Sequence, residues 1–348
     1  MLFIRADGNP KIGTGHIMRC LSIAQAAKRQ GCPCTFITAD HEMTQLLEQQ
    51  GFRYICLDSE WDHLDLETAR MEQLIRQESI QVLLIDSYFV TLDYLRRLHC
   101  LTHVAYMDDL NEFIYPCSTL VNYSIYAAQQ DYSSRYPNTK YLLGPQYVPL
   151  RSEFQDLPGR RLRREVRDVL VTTGGSDPLN IAGRFAESAV QMFPSVKFHI
   201  VAGRFNQYRT QLEHLAQKHS DIQIHYNVER MSELILSCDA AVSAGGSTLY
   251  ELCACGVPTV MYALADNQLP GTEAFERSGM MLYAGDVREN KFFTEALCDK
   301  LAVLSKDYPL RKLMSEWMRQ TVDGNGAKRL ADELISGITD EKRSLLWA

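Results

Sequence analysis

The chain has 348 residues, of which 46% are hydrophobic and 23% are charged. This composition indicates a folded globular protein and excludes a disordered or low-complexity one. The length favours two domains of roughly 150 residues each, since single cores rarely grow beyond ~250–300 residues. The 36 Lys and Arg residues against 43 Asp and Glu residues give a formal charge of −7. That balance argues against a nucleic-acid partner, because such binding depends on neutralising phosphates.

The chain shows no pattern of membrane insertion or secretion. It has no run of about 18 apolar residues, and it starts in a strand-like segment, so we expect neither an integral membrane segment nor a secretory signal. The ten cysteines include no C-x-x-C pair, which favours buried free thiols over disulfides or a metal site. We therefore expect a cytoplasmic protein.

Short strand patterns alternate with longer amphipathic helices along both halves of the chain. The strands predicted in the first half are Leu2–Arg5, Cys34–Thr38, Tyr54–Leu57, Val82–Asp86, Val104–Met107, Thr119–Asn122 and Tyr141–Leu143. Those predicted in the second half are Asp168–Thr172, Phe198–Ala202, Ile222–His225, Ala240–Ser243, Thr259–Ala263 and Met281–Tyr283. The predicted helices include His16–Gln30, Leu66–Gln77, Ile181–Met192, Tyr208–His219, Thr248–Cys255 and a helical tail after Pro309 with a break at 323–326.

The order of these elements predicts the fold class. Runs such as Val82–Ile85 are apolar without alternation, which is typical of parallel strands covered on both faces. The repeated β-α order therefore predicts an α/β protein with two doubly wound, Rossmann-like domains and a cleft between them. A Pro-Gly turn and a basic run at 155–161 indicate a linker. We place the N-terminal domain at residues 1–157 and the C-terminal domain at residues 158–348.

Three glycine-rich turns each follow a predicted strand and open a helix. They are Gly13-Thr14-Gly15-His16, Thr173-Gly174-Gly175-Ser176-Asp177 and Ser243-Ala244-Gly245-Gly246-Ser247-Thr248. Open α/β sheets bind ligands at this end of their strands, and glycine there lets an anion approach the free N–H groups of the helix. One such turn could simply be tight, but two in the second domain favour a diphosphate ligand. Neither a dinucleotide fingerprint nor a P-loop fits, which leaves a nucleotide sugar.

Two side chains beside these turns are candidates for chemistry. His16 starts a helix whose positive end disfavours a charged imidazole, so we expect it to be neutral near pH 7 and able to accept a proton. A purely local role at the helix start is the alternative. Glu251, three residues after Thr248, fits a capping box or hydrogen bonds to ribose hydroxyls. Asp108 and Asp109 are adjacent rather than spaced as D-x-D, so we expect no metal.

Several of these segments together resemble a known family. Arg5-Ala6-Asp7-Gly8 followed by residues 12–20, Asp86-Ser87-Tyr88, Asp108-Asp109 and the segment 147–154 resemble the UDP-sugar hydrolases of the pseudaminic acid pathway. The last two glycine turns, Gly256-Val257-Pro258 and Asp266-Asn267-Gln268 continue the match. The resemblance runs from about Leu2 to Ala284 and includes related spore-coat polysaccharide proteins. The second half also resembles the GlcNAc transferase that makes lipid II.

This resemblance implies a GT-B fold and a reaction. It implies inverting hydrolysis, without metal or cofactor, of UDP-2,4-diacetamido-2,4,6-trideoxy-β-L-altropyranose, so that water attacks the anomeric carbon and UDP leaves. His16 and Asn267 would then be catalytic, with His16 acting on the water and Asn267 near the sugar phosphate. The UDP contacts implied are Gly174, Gly175, Gly245, Gly246, Ser247, Thr248 and, at the ribose, Glu251. Asp7, Gly15 and Tyr88 would line the sugar pocket.

Two departures from the family pattern and two other functions stay open. Tyr250 stands where the family has tryptophan, and the chain after about Leu304 is longer than the core family needs. A glycosyltransferase of the same fold is the main alternative, although the acidic balance of residues 1–150 disfavours a membrane-docking one. A nucleotide-sugar binding protein without activity is the other, and His16 and Asn267 count against it.

Overall fold

The chain folds into two compact units. The computed structural model describes residues 1–9, 11–132, 138–203 and 205–345, with side chains up to residue 338. One unit comprises residues 1–152 together with the chain from Asn325, and the other comprises residues 153–324. Each unit is built on a parallel sheet covered by helices, which confirms the predicted α/β class.

The first unit contains seven strands and five α-helices within the described residues. The strands are β1 Leu2–Ala6, β2 Cys34–Thr38, β3 Arg53–Cys56, β4 Val82–Asp86, β5 His103–Met107, β6 Thr119–Asn122 and β7 Lys140–Leu143. The helices are α1 Gly15–Arg29, α2 Thr44–Gln49, α3 Thr68–Gln77, α4 Leu92–His99 and, from the end of the chain, α12 Gly326–Leu345. The strand order is β3-β2-β1-β4-β5-β6-β7. The chain reverses direction across the sheet between β1 and β4, which is the position where doubly wound sheets bind ligands.

Both faces of this sheet are buried, which explains its continuously apolar strands. Leu2 and Ile4 lie in one hydrophobic cluster with residues of α1 and α12. Phe3 lies in a second cluster with residues of α3 and α4. Because successive side chains of a strand point to opposite faces, a strand packed on both sides must be apolar at every position.

The last helix belongs to the first unit, which differs from the predicted second domain at 158–348. Leu330 and Leu334 of α12 are buried in the same cluster as Ile17 and Leu21 of α1. The apolar residues of α12 recur at helical spacing, so the helix has one apolar face, and it buries that face on α1. The chain from Asn325 therefore contributes to the core behind the N-terminal sheet, whereas residues 305–324 belong to the second unit.

The second unit repeats the same topology. Its strands are β8 Asp168–Thr172, β9 Lys197–Ala202, β10 Ile222–Tyr226, β11 Ala240–Ala244, β12 Thr259–Ala263 and β13 Leu282–Asp286. Its helices are α5 Ile181–Met192, α6 Arg209–Lys218, α7 Met231–Ser237, α8 Thr248–Cys255, α9 Leu269–Arg277, α10 Phe293–Lys306 and α11 Tyr308–Thr321. The strand order is β10-β9-β8-β11-β12-β13. The turns after β8 and β11, the strands on either side of the switch point, thus lie side by side.

Each predicted strand is present within a few residues of its predicted bounds. All ten cysteines are free thiols, with Cys100 exposed, Cys56 half-buried and the others buried. Within the described ranges, no helix combines the length and the apolar character needed to cross a bilayer.

Candidate active site

The loop between β1 and α1 sets the position of His16. The Oδ1 atom of Asn9 accepts the N–H groups of Lys11 and Ile12 at 2.9 and 3.0 Å, and the N–H of Asn9 donates to the carbonyl of Gly13 at 3.1 Å. Gly13 has φ +74°, a conformation that glycine adopts without strain. The turn ends where α1 begins, which places His16 as the second residue of the helix and buries it.

His16 is held by a carboxylate that lies 70 residues away in sequence. Residue 86 is the last of β4 and pairs in register with Ala6 of β1, so Asp86 reaches the start of α1. Its Oδ1 atom lies 2.6 Å from Nδ1 of His16. An ionised carboxylate only accepts hydrogen bonds, so Nδ1 carries the proton. The Nη2 atom of Arg19 also lies 3.2 Å from Nδ1, but it donates to Asp86 at 2.5 Å. The neutral imidazole then keeps its lone pair on Nε2, and we assign that tautomer from the hydrogen-bond network.

Arg19 binds the same carboxylate from one helical turn further along α1. Its Nε and Nη2 atoms donate to Asp86 Oδ2 and Oδ1 at 2.6 and 2.5 Å, the paired geometry that guanidinium groups make with carboxylates. Its Nη1 atom donates to Oδ2 of Asp109 at 2.9 Å and to the Tyr123 hydroxyl at 2.6 Å. Arg19 therefore links the carboxylate at the end of β4 to the one that follows β5.

Tyr88 returns this chain of contacts to His16. Its hydroxyl donates to Oδ2 of Asp109 at 3.1 Å. Its ring lies edge-on to the imidazole, with 4.5 Å between centroids and 78° between planes. The five side chains thus form a closed circuit, which we call the His16 network: His16, Asp86, Arg19, Asp109 and Tyr88.

The charges in the His16 network stabilise one another. Burial opposes ionisation of Asp86, but the charge of Arg19 and the hydrogen bonds of Arg19 and His16 outweigh it and hold the pKa of that carboxyl well below its usual range. Burial likewise opposes the charge of Arg19, yet Asp109 and Asp86 raise its pKa well above the usual value. Burial, with a smaller contribution from Asp109, raises the pKa of Tyr88. The Asp86 carboxylate and the guanidinium are therefore charged at neutral pH, and the phenol is not.

Sequence patterns pointed to Arg19, Asp86 and Asp109, but no role was assigned to them. His16 and Arg19 are spaced i, i+3 and so share one helix face. Asp86 ends one buried strand and Asp109 follows the next, at the edge where ligands bind. Their convergence depends on β1 and β4 being neighbours in the sheet, which a linear sequence does not state.

The two other predicted sugar-pocket residues differ in exposure. Asp7 is buried, its Oδ1 atom accepts the N–H of Ala39 at 2.7 Å, and its Oδ2 atom pairs with the buried Arg5. Arg5 also binds Glu67 through two hydrogen bonds, of 2.7 and 2.9 Å. Asp7 therefore belongs to a structural ion pair beneath the sheet edge. Gly15 is exposed, with open space where a side chain would be.

The turn after β8 has room for a ligand but a covered helix start. Gly174 and Gly175 are exposed, with open space at the Cβ position of each. Asp177 accepts the N–H groups of Ile181 and Ala182 at 2.7 and 3.0 Å, so its carboxylate already caps α5. Burial raises the pKa of Asp177, although these N–H bonds oppose the shift. This turn can therefore admit a phosphate beside its glycines, whereas the start of α5 is occupied.

Sequence reasoning missed Gly203, which supports that turn. A Cβ atom at Gly203 would lie 2.3 Å from the carbonyl oxygen of Gly174 and 2.5 Å from that of Gly175. Only glycine fits this approach of β9 to the turn. The signal available was a glycine directly after a predicted parallel strand.

The turn after β11 uses its N–H groups differently from the prediction. The N–H of Gly245 donates to Tyr262 O and that of Gly246 to Ala244 O, both at 2.8 Å. Their backbone donors are thus engaged within the protein rather than free for a diphosphate. Ser247 is the N-cap of α8 and makes no capping bond with its side chain. In the part of the chain that the structure describes, the N–H groups of Ser247 and Thr248 have no assigned protein acceptor, as is usual in a first helical turn.

Glu251 and Asn267 follow the neighbouring strands β11 and β12 of the second sheet. Glu251 is half-buried in the first turn of α8. A capping box of Thr248 and Glu251 would make Thr248 the N-cap. In the structure Ser247 is the N-cap and Thr248 is the first residue of α8, which disfavours the capping-box interpretation. Asn267 is exposed in a 3₁₀ turn, Asp266–Gln268. The turn is fixed by Arg288, which donates to Asp266 at 2.7 Å, and by Gln268, which accepts the N–H of Leu264 at 3.0 Å.

Potential metal ligands gather elsewhere among the described residues. One group is His41, Cys56 and Asp58, and the other is Glu60, Asp62 and His63. Most of these side chains are exposed, and neither group contains a member of the His16 network. The prediction of a metal-free site therefore stays a prediction.

Comparison with known proteins supports the resemblance noted in the sequence. No family model matches the chain. The chain is 26% identical over 333 residues to the spore coat polysaccharide biosynthesis protein SpsG of Bacillus subtilis, covering 94% of this chain and 95% of that protein. It is 23% identical over 254 residues to the UDP-2,4-diacetamido-2,4,6-trideoxy-beta-L-altropyranose hydrolase of Campylobacter jejuni, covering 72% and 86%. The uncharacterised protein MJ1062 of Methanocaldococcus jannaschii is 25% identical over 279 residues, which are 76% of this chain but 56% of that protein.

Solved structures with the same fold include several glycosyltransferases and a putative UDP-N-acetylglucosamine 2-epimerase of Listeria monocytogenes. MurG of Acinetobacter baumannii aligns with a TM-score of 0.68 at 15% identity, covering 96% of this chain and 99% of that one. CalG4, the calicheamicin glycosyltransferase, aligns with a TM-score of 0.65 at 14% identity, covering 97% and 98%. At these identities the likeness shows the fold alone, and it confirms the predicted GT-B class of two Rossmann-like domains.

Proposed function

We propose that this protein hydrolyses a UDP-linked 2,4-diacetamido-2,4,6-trideoxyhexose to UDP and the free sugar, for nonulosonic (pseudaminic) acid biosynthesis. The reaction inverts the anomeric carbon and requires no metal or cofactor. The observation that supports it best is the 2.6 Å contact between His16 Nδ1 and Asp86, since it leaves Nε2 as a proton acceptor. The relative of Campylobacter jejuni named above supplies the substrate class.

His16 acts as the general base in this proposal. Its Nε2 atom takes a proton from water as the water oxygen attacks the anomeric carbon, and the imidazolium that forms faces Asp86. The fixed charges around it are Asp86 and Asp109 against Arg19, a net charge of −1. A proton on His16 brings that sum to zero, so the His16 network favours the transfer. A positioned base contributes roughly 10²–10⁴-fold to a rate.

UDP leaves without a strong acid, because its diphosphate is already a stable anion. In the proposal, the N–H groups of Ser247 and Thr248 at the positive end of α8 stabilise the departing charge. Gly174, Gly175 and Gly246 have open space at the Cβ position and let a diphosphate approach. Glu251 binds the ribose, Asn267 contacts the sugar phosphate, and Tyr88 and Gly15 border the sugar.

A glycosyltransferase that uses a UDP-sugar donor is the second candidate. The fold of the chain supports it, since several of the solved structures that match are glycosyltransferases. The same base could deprotonate the hydroxyl of an acceptor. The two functions differ in whether water alone is sufficient as the nucleophile.

The test is release of UDP from a panel of UDP-sugars with no acceptor present. A hydrolase releases stoichiometric UDP from the diacetamido-trideoxy substrate, and in H₂¹⁸O the label enters the free sugar at C1. His16→Asn is expected to lower kcat by about 10²–10⁴-fold with KM largely kept, because binding does not need the base. Release that requires an added acceptor would favour the transferase. Label on phosphorus, or a kcat within threefold of wild type in His16→Asn, would contradict the mechanism.

A further inference from the structure

Arg19 donates hydrogen bonds to both carboxylates of the His16 network. It is nearly buried, with 12% of its side chain exposed. It binds both oxygens of Asp86, and one further nitrogen reaches both Asp109 and Tyr123. Its position one turn after His16 puts both residues on the face of α1 that meets the ends of β4 and β5.

These contacts constrain the imidazole from two sides. The paired bonds to Arg19 fix the plane of the Asp86 carboxylate, and Oδ1 of that carboxylate faces His16 Nδ1. On the other side, Asp109 holds the hydroxyl of Tyr88, and the Tyr88 ring packs against the imidazole. Both constraints pass through one guanidinium group.

We propose that Arg19 is the positioning residue for His16: it orients the imidazole through Asp86 and Tyr88, and its charge sets how readily His16 accepts a proton. This inference rests on the proposed function, in which His16 is the base. Arg19 itself contacts the other side chains of the network and takes no part in the bonds that form or break.

The titratable side chains around the imidazole are carboxylates, an arginine, tyrosines and a thiol. Asp86 from β4 and Asp109 after β5 stabilise the imidazolium, and Arg19 on α1 opposes it. Tyr88 packs on the ring, and Tyr123, the residue after β6, binds Arg19. The buried thiol of Cys20 donates to Asp86 at 3.5 Å. The tyrosines and the thiol have pKa values raised by burial, so they stay neutral in the working range. Arg19 is the positive charge that balances the two carboxylates.

The experiment separates the charge of Arg19 from its geometry. Arg19→Met removes the charge, so Asp86 stabilises the imidazolium more strongly, and the acid limb of the kcat/KM profile moves to higher pH by about one unit. Arg19→Lys keeps the charge but loses the paired geometry, so the limb stays in place and kcat falls about tenfold. Arg29→Met, at the exposed end of the same helix, is the control and should match wild type.

Titration of His16 by NMR gives a readout that needs no substrate. In ¹⁵N-histidine-labelled protein, with the His16 signal assigned from the His16→Gln variant, the midpoint rises by about one unit in Arg19→Met and not in Arg19→Lys. If the midpoint shifts in a protein that releases no UDP, the proposed hydrolase function is contradicted, but the effect of Arg19 on His16 is supported. Equal midpoints in wild type and a folded Arg19→Met would overturn it. If Arg19→Met does not fold, wild-type kcat in Arg19→Lys would overturn it instead.

Discussion

Replacing Asp86 with Asn tests the link between the fold and the proposed base. Asp86 is 1% exposed and accepts the hydrogen bonds of His16 and Arg19 at 2.5–2.6 Å. In asparagine an NH₂ group, which is a donor, replaces one of the two carboxylate oxygens that accept these hydrogen bonds. If it turns to offer its oxygen to Arg19, its NH₂ faces His16 and favours the tautomer with the proton on Nε2. That tautomer cannot accept a proton from water.

The expected losses differ for stability and for rate. Removing one partner of a buried ion pair costs about 3–5 kcal/mol, and Arg19 keeps Asp109 and Tyr123 as partners, which places Asp86→Asn at the lower end of that range. The wrong tautomer should lower kcat by about 10²–10⁴-fold. The exposed Asp93, in the first turn of α4, supplies the control, and Asp93→Asn should change the free energy of unfolding by less than about 0.5 kcal/mol.

A double-mutant cycle decides whether Asp86 acts through His16. UDP release and thermal unfolding are measured for His16→Asn, Asp86→Asn and the double variant. If Asp86 only orients the base, the double variant turns over within about threefold of His16→Asn, because its single losses do not multiply. Losses that multiply in the double variant would refute the reasoning, since Asp86 would then act without the imidazole.

The pH dependence of stability provides a second check on the same variant. The folded protein holds the pKa of Asp86 below its usual range, so the ionised carboxylate stabilises the fold above roughly pH 3.9, its unfolded pKa. That contribution disappears as the pH falls from there through the folded-state pKa. The difference in melting temperature between wild type and Asp86→Asn should therefore shrink in acid. A difference that is constant from pH 7 to pH 3 would contradict an ionised Asp86.

The remaining predictions concern supports of the two units. Gly203→Ala places a Cβ atom 2.3 Å from the Gly174 carbonyl oxygen, so we expect a loss of at least about 2 kcal/mol in stability and weaker UDP binding by calorimetry. Gly159→Ala, which meets open space, is its control, and equal UDP affinity in both would refute the role. Leu330→Ala empties a fully buried position of α12 and should cost about 2–5 kcal/mol in thermal unfolding. Lys328→Ala, on the exposed side of the same helix, should cost under about 0.5 kcal/mol, and an equal effect of both would show that α12 does not support the first unit.

The elements of each sheet and the turns between them can be predicted from local patterns along the chain. Apolar runs such as Val82–Ile85 are fixed by burial on both faces, and a glycine pair after a strand records a local need for a tight backbone. These signals depend on neighbours along the chain, so they can be interpreted without knowing the fold. They predicted the two Rossmann-like units and the position of His16 at a helix start.

The side-chain and backbone partners of these residues depend on the tertiary structure. Asp86 reaches His16 because β1 and β4 are neighbours in the sheet, and the N–H of Gly245 is engaged because Tyr262 of the adjacent strand β12 accepts it. The expectation that His16 is neutral came from the positive end of its helix alone. It did not include the Asp86 carboxylate, which the packing of β4 brings beside the imidazole. Strand order and helix packing join residues that are far apart in sequence, and this is why the partners of His16 and the position of α12 could not be read from local patterns.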